Sequence, residues 1–166
     1  MPWLEADEHT REVEQARDLV LRRLDRSLAP RASLVQLLAS KGVEERISQE
    51  VLDRLEAAGV IDDAAYAAML ARTRFAEKGA ARRAVAAELR RKGLAEQHIR
   101  SALEQIDDSD EAEAALALAR KKLRTTRSLD LLTRKRRTLA LLGRKGYSAD
   151  VASWALNQAF REEGQA

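Results

Sequence analysis

Eleven arginines and lysines fall between Ala114 and Tyr147, against a single acid, Asp130, a net of +10. They cluster as Arg120-Lys121-Lys122, Arg124, Arg127, Arg134-Lys135-Arg136-Arg137 and Arg144-Lys145. Long cations at repeated spacing suit contacts to a phosphate backbone. A surface helix that only needs solubility mixes both signs of charge, and here the acids are missing. On a helix Arg134, Arg137 and Lys145 can share a flank. Arg72, Arg82, Arg83, Arg90 and Arg91 could continue such a stripe. The chemistry these residues offer is electrostatic docking onto a polyanion.

Other chemistry has little to stand on. The chain has no cysteine, which excludes disulfides, thiol catalysis and cysteine-ligated zinc. Its two histidines, His9 and His98, are far apart. No Gly-rich phosphate loop is present. The acids Asp62-Asp63 and Asp107, Asp108 and Asp110 stand at predicted helix starts, where capping is the expected role. The expectation is a protein without catalytic residues, metal or cofactor, and not an enzyme. Tyr66, Phe75, Tyr147 and Trp154 sit at apolar positions of helical patterns and read as core, and Trp3 as a loose or staple contact. With few aromatics to stack on bases, sequence-independent contact with DNA phosphates is favoured over base readout.

The elements that position these residues are helices. Of 166 residues, 45% are hydrophobic, 34% charged and 4% aromatic, with two prolines and seven glycines. That composition favours an all-helical chain. Lys-Gly recurs at 41–42, 92–93 and 145–146, spaced 51 and 53 residues apart, each time closing an apolar-periodic run. Lysine faces the negative helix end and glycine takes the left-handed cap conformation. A repeat of this length means stacked helical units. The expectation is an all-α, elongated tandem array of three three-helix repeats. Residues 1–9 form a flexible lead, 10–61 the first repeat, 62–107 the second and 108–163 the third. Residues 1–63 carry a net of −5, and 64–106 a net of +5, so an acidic first repeat precedes two basic ones. Met1 to Thr10 lacks a signal-peptide pattern, and no run is apolar enough to span a bilayer. A cytoplasmic monomer without membrane contact is expected.

The middle repeat carries a signature. Asp62-Asp63-Ala64-Ala65-Tyr66-Ala67 is followed by Arg72-Thr73-Arg74, by Gly79-Ala80-Ala81-Arg82-Arg83 and by Glu88-Leu89-Arg90-Arg91-Lys92-Gly93. This set resembles the RecX family, bacterial regulators of the RecA recombinase. The resemblance implies the same three tandem three-helix repeats. It implies a protein that lies in the helical groove of a RecA–DNA filament, inhibits ATP hydrolysis and strand exchange, and favours filament disassembly. The docking residues expected on that reading are Arg72, Arg74, Arg82, Arg83, Arg120, Lys121, Lys122, Arg134, Arg136 and Arg137. One departure stands out. Family members often start the second helix with a Ser or Thr cap, and Leu28-Ala29-Pro30-Arg31-Ala32-Ser33-Leu34 offers none at the expected start. Two other readings stay open: a non-specific DNA-binding protein, and a helical-repeat module that binds an acidic protein.

Overall fold

The computed structural model describes residues 7–165. Trp3 and most of the expected lead lie outside the described residues. Among those described, nine α-helices follow one another and no strand occurs. They are α1 (Glu8–Arg26), α2 (Arg31–Ser40), α3 (Glu45–Ala57), α4 (Asp63–Lys78), α5 (Arg82–Arg91), α6 (Glu96–Leu103), α7 (Asp108–Thr125), α8 (Leu131–Arg144) and α9 (Ala149–Gln165). None of them is long and apolar enough to cross a membrane.

The starts of α1, α4, α7 and α8 are set by aspartates. Asp7 accepts the Thr10 N–H at 2.7 Å, so α1 begins at Glu8, two residues before the expected start of the first repeat at 10. Asp62 accepts the Ala65 N–H at 2.9 Å and opens α4. Asp107 and Asp110 exchange two bonds in a capping box ahead of α7. Asp130 caps α8 through Thr133. Those hydrogen bonds, the Thr133 side chain first, hold the Asp130 carboxyl below the ordinary carboxylate range. The stops are equally local. Gly42, Gly93 and Gly146 each adopt positive φ, at 78°, 84° and 95°, which continuing the helix would forbid.

Pro30 is the extended N-cap of α2 and contributes no side-chain cap. The cap comes from far along the chain. Asp63 Oδ1 accepts the Arg31 N–H at 2.9 Å. The Arg31 guanidinium then binds Gln49 and Asp53 at 2.7 Å each and also Glu56, all on α3.

The chain forms two compact units, one joining the chain up to Ala67 with Leu89–Ile99, the other joining Ala68–Glu88 with the chain from Arg100. In the first, α1, α2 and α3 pack on one another around Val20, Leu34, Leu38, Ile47, Val51 and Leu52. In the second, α7, α8 and α9 pack mutually around Ala115, Ala119, Leu123, Leu142, Tyr147 and Leu156. Tyr66 and Tyr147 are buried and Phe75 is half-buried. Trp154 differs from expectation: it is exposed. Ala155, Leu156 and Ala159 hold the inward side of α9, and Trp154 is about 100° round the helix from Ala155.

Candidate nucleic-acid interface

All ten expected docking residues belong to the second unit. Their surroundings divide them. Arg74 grips Glu88 with two parallel bonds, from Nε at 2.9 Å and from Nη2 at 2.8 Å. Arg82 binds the carboxylates of Glu111 and Asp108 and donates to the Ile106 carbonyl at 3.1 Å. Arg120 pairs with Glu162 on α9 through two bonds of 2.6 Å. That pairing, with the Arg120 hydrogen bond as the main cause, holds the Glu162 carboxyl below its ordinary range. Arg134 is only 12% exposed. It donates to the Leu123 carbonyl at 2.8 Å, pairs with Glu163 at 2.9 Å, and lies over the Phe160 ring. These four arginines tie helices together. In each, a carboxylate or a carbonyl already accepts from part of the guanidinium.

The other six face outward to different degrees. Arg72, Arg83, Lys121, Arg136 and Arg137 are exposed and Lys122 is half-buried. Arg72 reaches Gln105 at 3.5 Å. Arg83, Lys121, Arg136 and Arg137 form no ion pair among the described residues. They do not share one face. Arg136 and Arg137, adjacent in sequence, stand about 100° apart round α8. Arg90, expected to extend the stripe, belongs to the first unit and pairs with Glu96.

One grouping does form. Arg137 and Arg144 are seven residues apart, about two turns, and so lie on one flank of α8; both are exposed. The turn after α8 then meets the start of α5. The Lys145 carbonyl accepts the Ala81 N–H at 2.8 Å, and the Tyr147 hydroxyl donates to the Gly79 carbonyl at 2.8 Å. Gly146 abuts Ala84 so closely that an added Cβ would stand 2.9 Å from the Ala84 nitrogen. Arg83, beside Ala84, is thereby brought to the end of α8 where Arg144 is exposed. Arg137 and Arg144 on α8, and Arg83 beside the contact that follows it, are exposed cations drawn from two modules. Arg144 was not among the ten, although its interval of seven from Arg137 is visible in the sequence. The approach of Arg83 is not, because it depends on the turn-to-turn contact.

A second cationic feature lies between the ends of α7 and α9. Arg124 and Arg127 line a groove of about 400 Å³ there, together with the Arg120–Glu162 pair and Glu163. Its acids make it less suited to an anion than the flank of α8.

Comparisons with known proteins agree with this architecture. Two family descriptions match consecutive segments: RecX, second three-helix domain, over 62–103, and RecX, third three-helix domain, over 109–156. The chain is 42% identical to the regulatory protein RecX of Streptomyces coelicolor over 153 residues, covering 92% of this chain and 81% of that protein. It is 36% identical to the regulatory protein RecX of Thermobifida fusca, over 90% of this chain and 81% of that one. A crystal structure of RecX from Lactobacillus salivarius superposes with a TM-score of 0.80 at 20% identity, covering 90% of this chain and 97% of that chain. A second crystal structure, of regulatory protein RecX, gives 0.80 at 27% identity, covering 95% and 82%. With two of its three-helix segments matched and its relatives aligned over most of their length, the chain belongs to the RecX family of regulatory proteins.

Proposed function

We propose that this chain is a non-enzymatic cytoplasmic regulator that binds the RecA–DNA filament as a monomer and inhibits RecA ATP hydrolysis and strand exchange. Family membership supports the partner. The observation that carries the mode of binding is the set Arg83, Arg137 and Arg144: exposed and without ion pairs among the described residues, with Arg137 and Arg144 on one flank of α8 and Arg83 next to Ala84, which meets the turn that follows α8. Arginine at such positions docks on phosphate oxygens without reading bases. Each contact displaces counterions, so affinity falls as salt rises. Arg72, Lys121, Lys122 and Arg136 add to the positive charge of the second unit. Arg74, Arg82, Arg120 and Arg134 act indirectly, by fixing the helices that present the others. The regulator neither cleaves nor transfers anything; it works by occupying the filament.

The test is RecA ATPase on single-stranded DNA with increasing amounts of this protein and of its triple variant R83Q/R137Q/R144Q. The wild type should inhibit. The variant should need a higher concentration, and its binding should depend less steeply on salt, by about one unit of slope for each phosphate no longer neutralised. Undiminished inhibition by a folded triple variant at physiological salt would remove this set from the interface. Inhibition that vanishes when DNA is supplied in large excess would mean competition for DNA without a filament target.

A further inference from the structure

The second unit carries an apolar surface among its cations. Leu131, Leu132 and Leu139 on α8 are 56%, 75% and 38% exposed, and Trp154 on α9 is 46% exposed. Leu132 and Leu139 are two turns apart on one flank of α8, with Leu131 and Lys135 beside them one turn apart. Leu131 and Lys135 line a shallow groove of about 500 Å³ with Asn157, Phe160 and Arg161 of α9. Trp154 continues the Asn157–Arg161 side of α9 by one further turn. The Lys135 ammonium lies 6.0 Å from the centre of the Phe160 ring, which holds the cation at the groove wall. The residues lining this groove include two cations and no acid. The acids nearest in sequence are Glu162, paired with Arg120, Glu163, paired with Arg134, and Asp130, engaged by Thr133; Asp150 stands one turn before Trp154.

We propose that this surface docks an acidic amphipathic helix of a partner protein. Its leucines would enter the groove between α8 and α9, and its carboxylates would meet Lys135, Arg136 and Arg161. Leucines separated by cations are the mirror of such a helix: apolar anchors recur every three to four residues and the charges flank them. Nucleic acid fits less well, since a phosphate backbone offers nothing for Leu131, Leu132 and Leu139 to bury. A second copy of this chain fits less well too, because a two-fold contact would face Lys135 and Arg161 with themselves. The surface is separate from the Arg83, Arg137 and Arg144 set: Arg137 and Arg144 lie on the other flank of α8.

The probe is a synthetic fluorescein-labelled peptide with leucine at helical spacing and glutamate between, read by anisotropy against the full chain. Its control replaces every glutamate with lysine. The glutamate peptide should bind and the lysine peptide should not. L132D should weaken binding by about tenfold or more, as expected for losing a buried anchor. Leu132 is largely solvated, so this variant should melt with the wild type. K135E should weaken the glutamate peptide and admit the lysine peptide. Equal binding of both peptides, or none, overturns the proposal, as does glutamate-peptide binding that L132D leaves intact. A labelled single-stranded oligonucleotide whose binding is lost in L132D would assign the surface to nucleic acid instead. Sedimentation showing a dimer that L132D dissolves would assign it to self-association.

Discussion

The Asp63 carboxylate accepts the Arg31 backbone N–H at 2.9 Å, although 32 residues separate the two. Helix α2 has no capping side chain of its own, and the first residue of α4 supplies the acceptor. Neighbouring Asp62 caps α4 itself, so each member of the Asp-Asp pair satisfies a different helix. D63A should lower stability by about 1 kcal/mol, seen as a fall in Tm of about 2–4 °C. Amide exchange should quicken at Arg31. D63N keeps an oxygen acceptor and should retain most of the stability. An Arg31 amide that exchanges at the same rate in D63A would show that the long-range cap contributes nothing.

Gly146 and Gly42 both close a helix at positive φ, but only Gly146 is pressed against other backbone. G42A meets open space and should cost only the left-handed strain, about 1–2 kcal/mol. G146A must also displace Ala84 and should cost about 2–5 kcal/mol. Urea unfolding of the two variants side by side gives the comparison. Equal losses would mean that the α8–α9 turn moves away without resistance.

Burial, with a smaller contribution from Glu111, pushes the Tyr147 phenol up to about 12, against an ordinary value near 10. The folded form therefore holds its proton more tightly than the unfolded chain. The resulting stability is fully present below about pH 10 and is lost as pH rises from there toward 12. Y147F should cost about 1 kcal/mol at neutral pH, because it removes the bond to the Gly79 carbonyl. It should also flatten the decline of the urea midpoint above about pH 10. A variant that declines as steeply as the wild type would place the alkaline sensitivity elsewhere.

Arg134 and Arg137 are one turn apart and should behave differently. R134Q removes a bonded, nearly buried guanidinium and should destabilise by about 1–3 kcal/mol. R137Q alters an exposed side chain and should stay within about 0.5 kcal/mol of wild type. It should nonetheless reduce the salt slope of DNA binding by about 1. Melting curves and a salt titration on both proteins separate the two roles.

The helices and their ends were legible because their signals are local. The Lys-Gly stops and the Asp62 and Asp107 starts follow from spacing within a turn or two. The roles of the arginines were less so. Arg74 with Glu88, Arg82 with Glu111, Arg120 with Glu162 and Arg134 with Glu163 pair across 14 to 42 residues. No window on the sequence joins those partners, so these arginines looked as available as Arg83 and Arg137. Trp154 shows the same limit. It stands within an apolar stretch, and only the packing of α9 shows which residues of that stretch turn outward.

The contact of Gly79, Ala81 and Ala84 with the Lys145–Tyr147 turn works as a latch. A helix terminator in one module is also the seat for a loop of another. A protease nick or bulky side chain at that turn would unfasten the start of α5 and carry Arg83 away from Arg144. Damage in the last fifty residues would then register as missing charge in the middle of the chain, without any middle residue having changed.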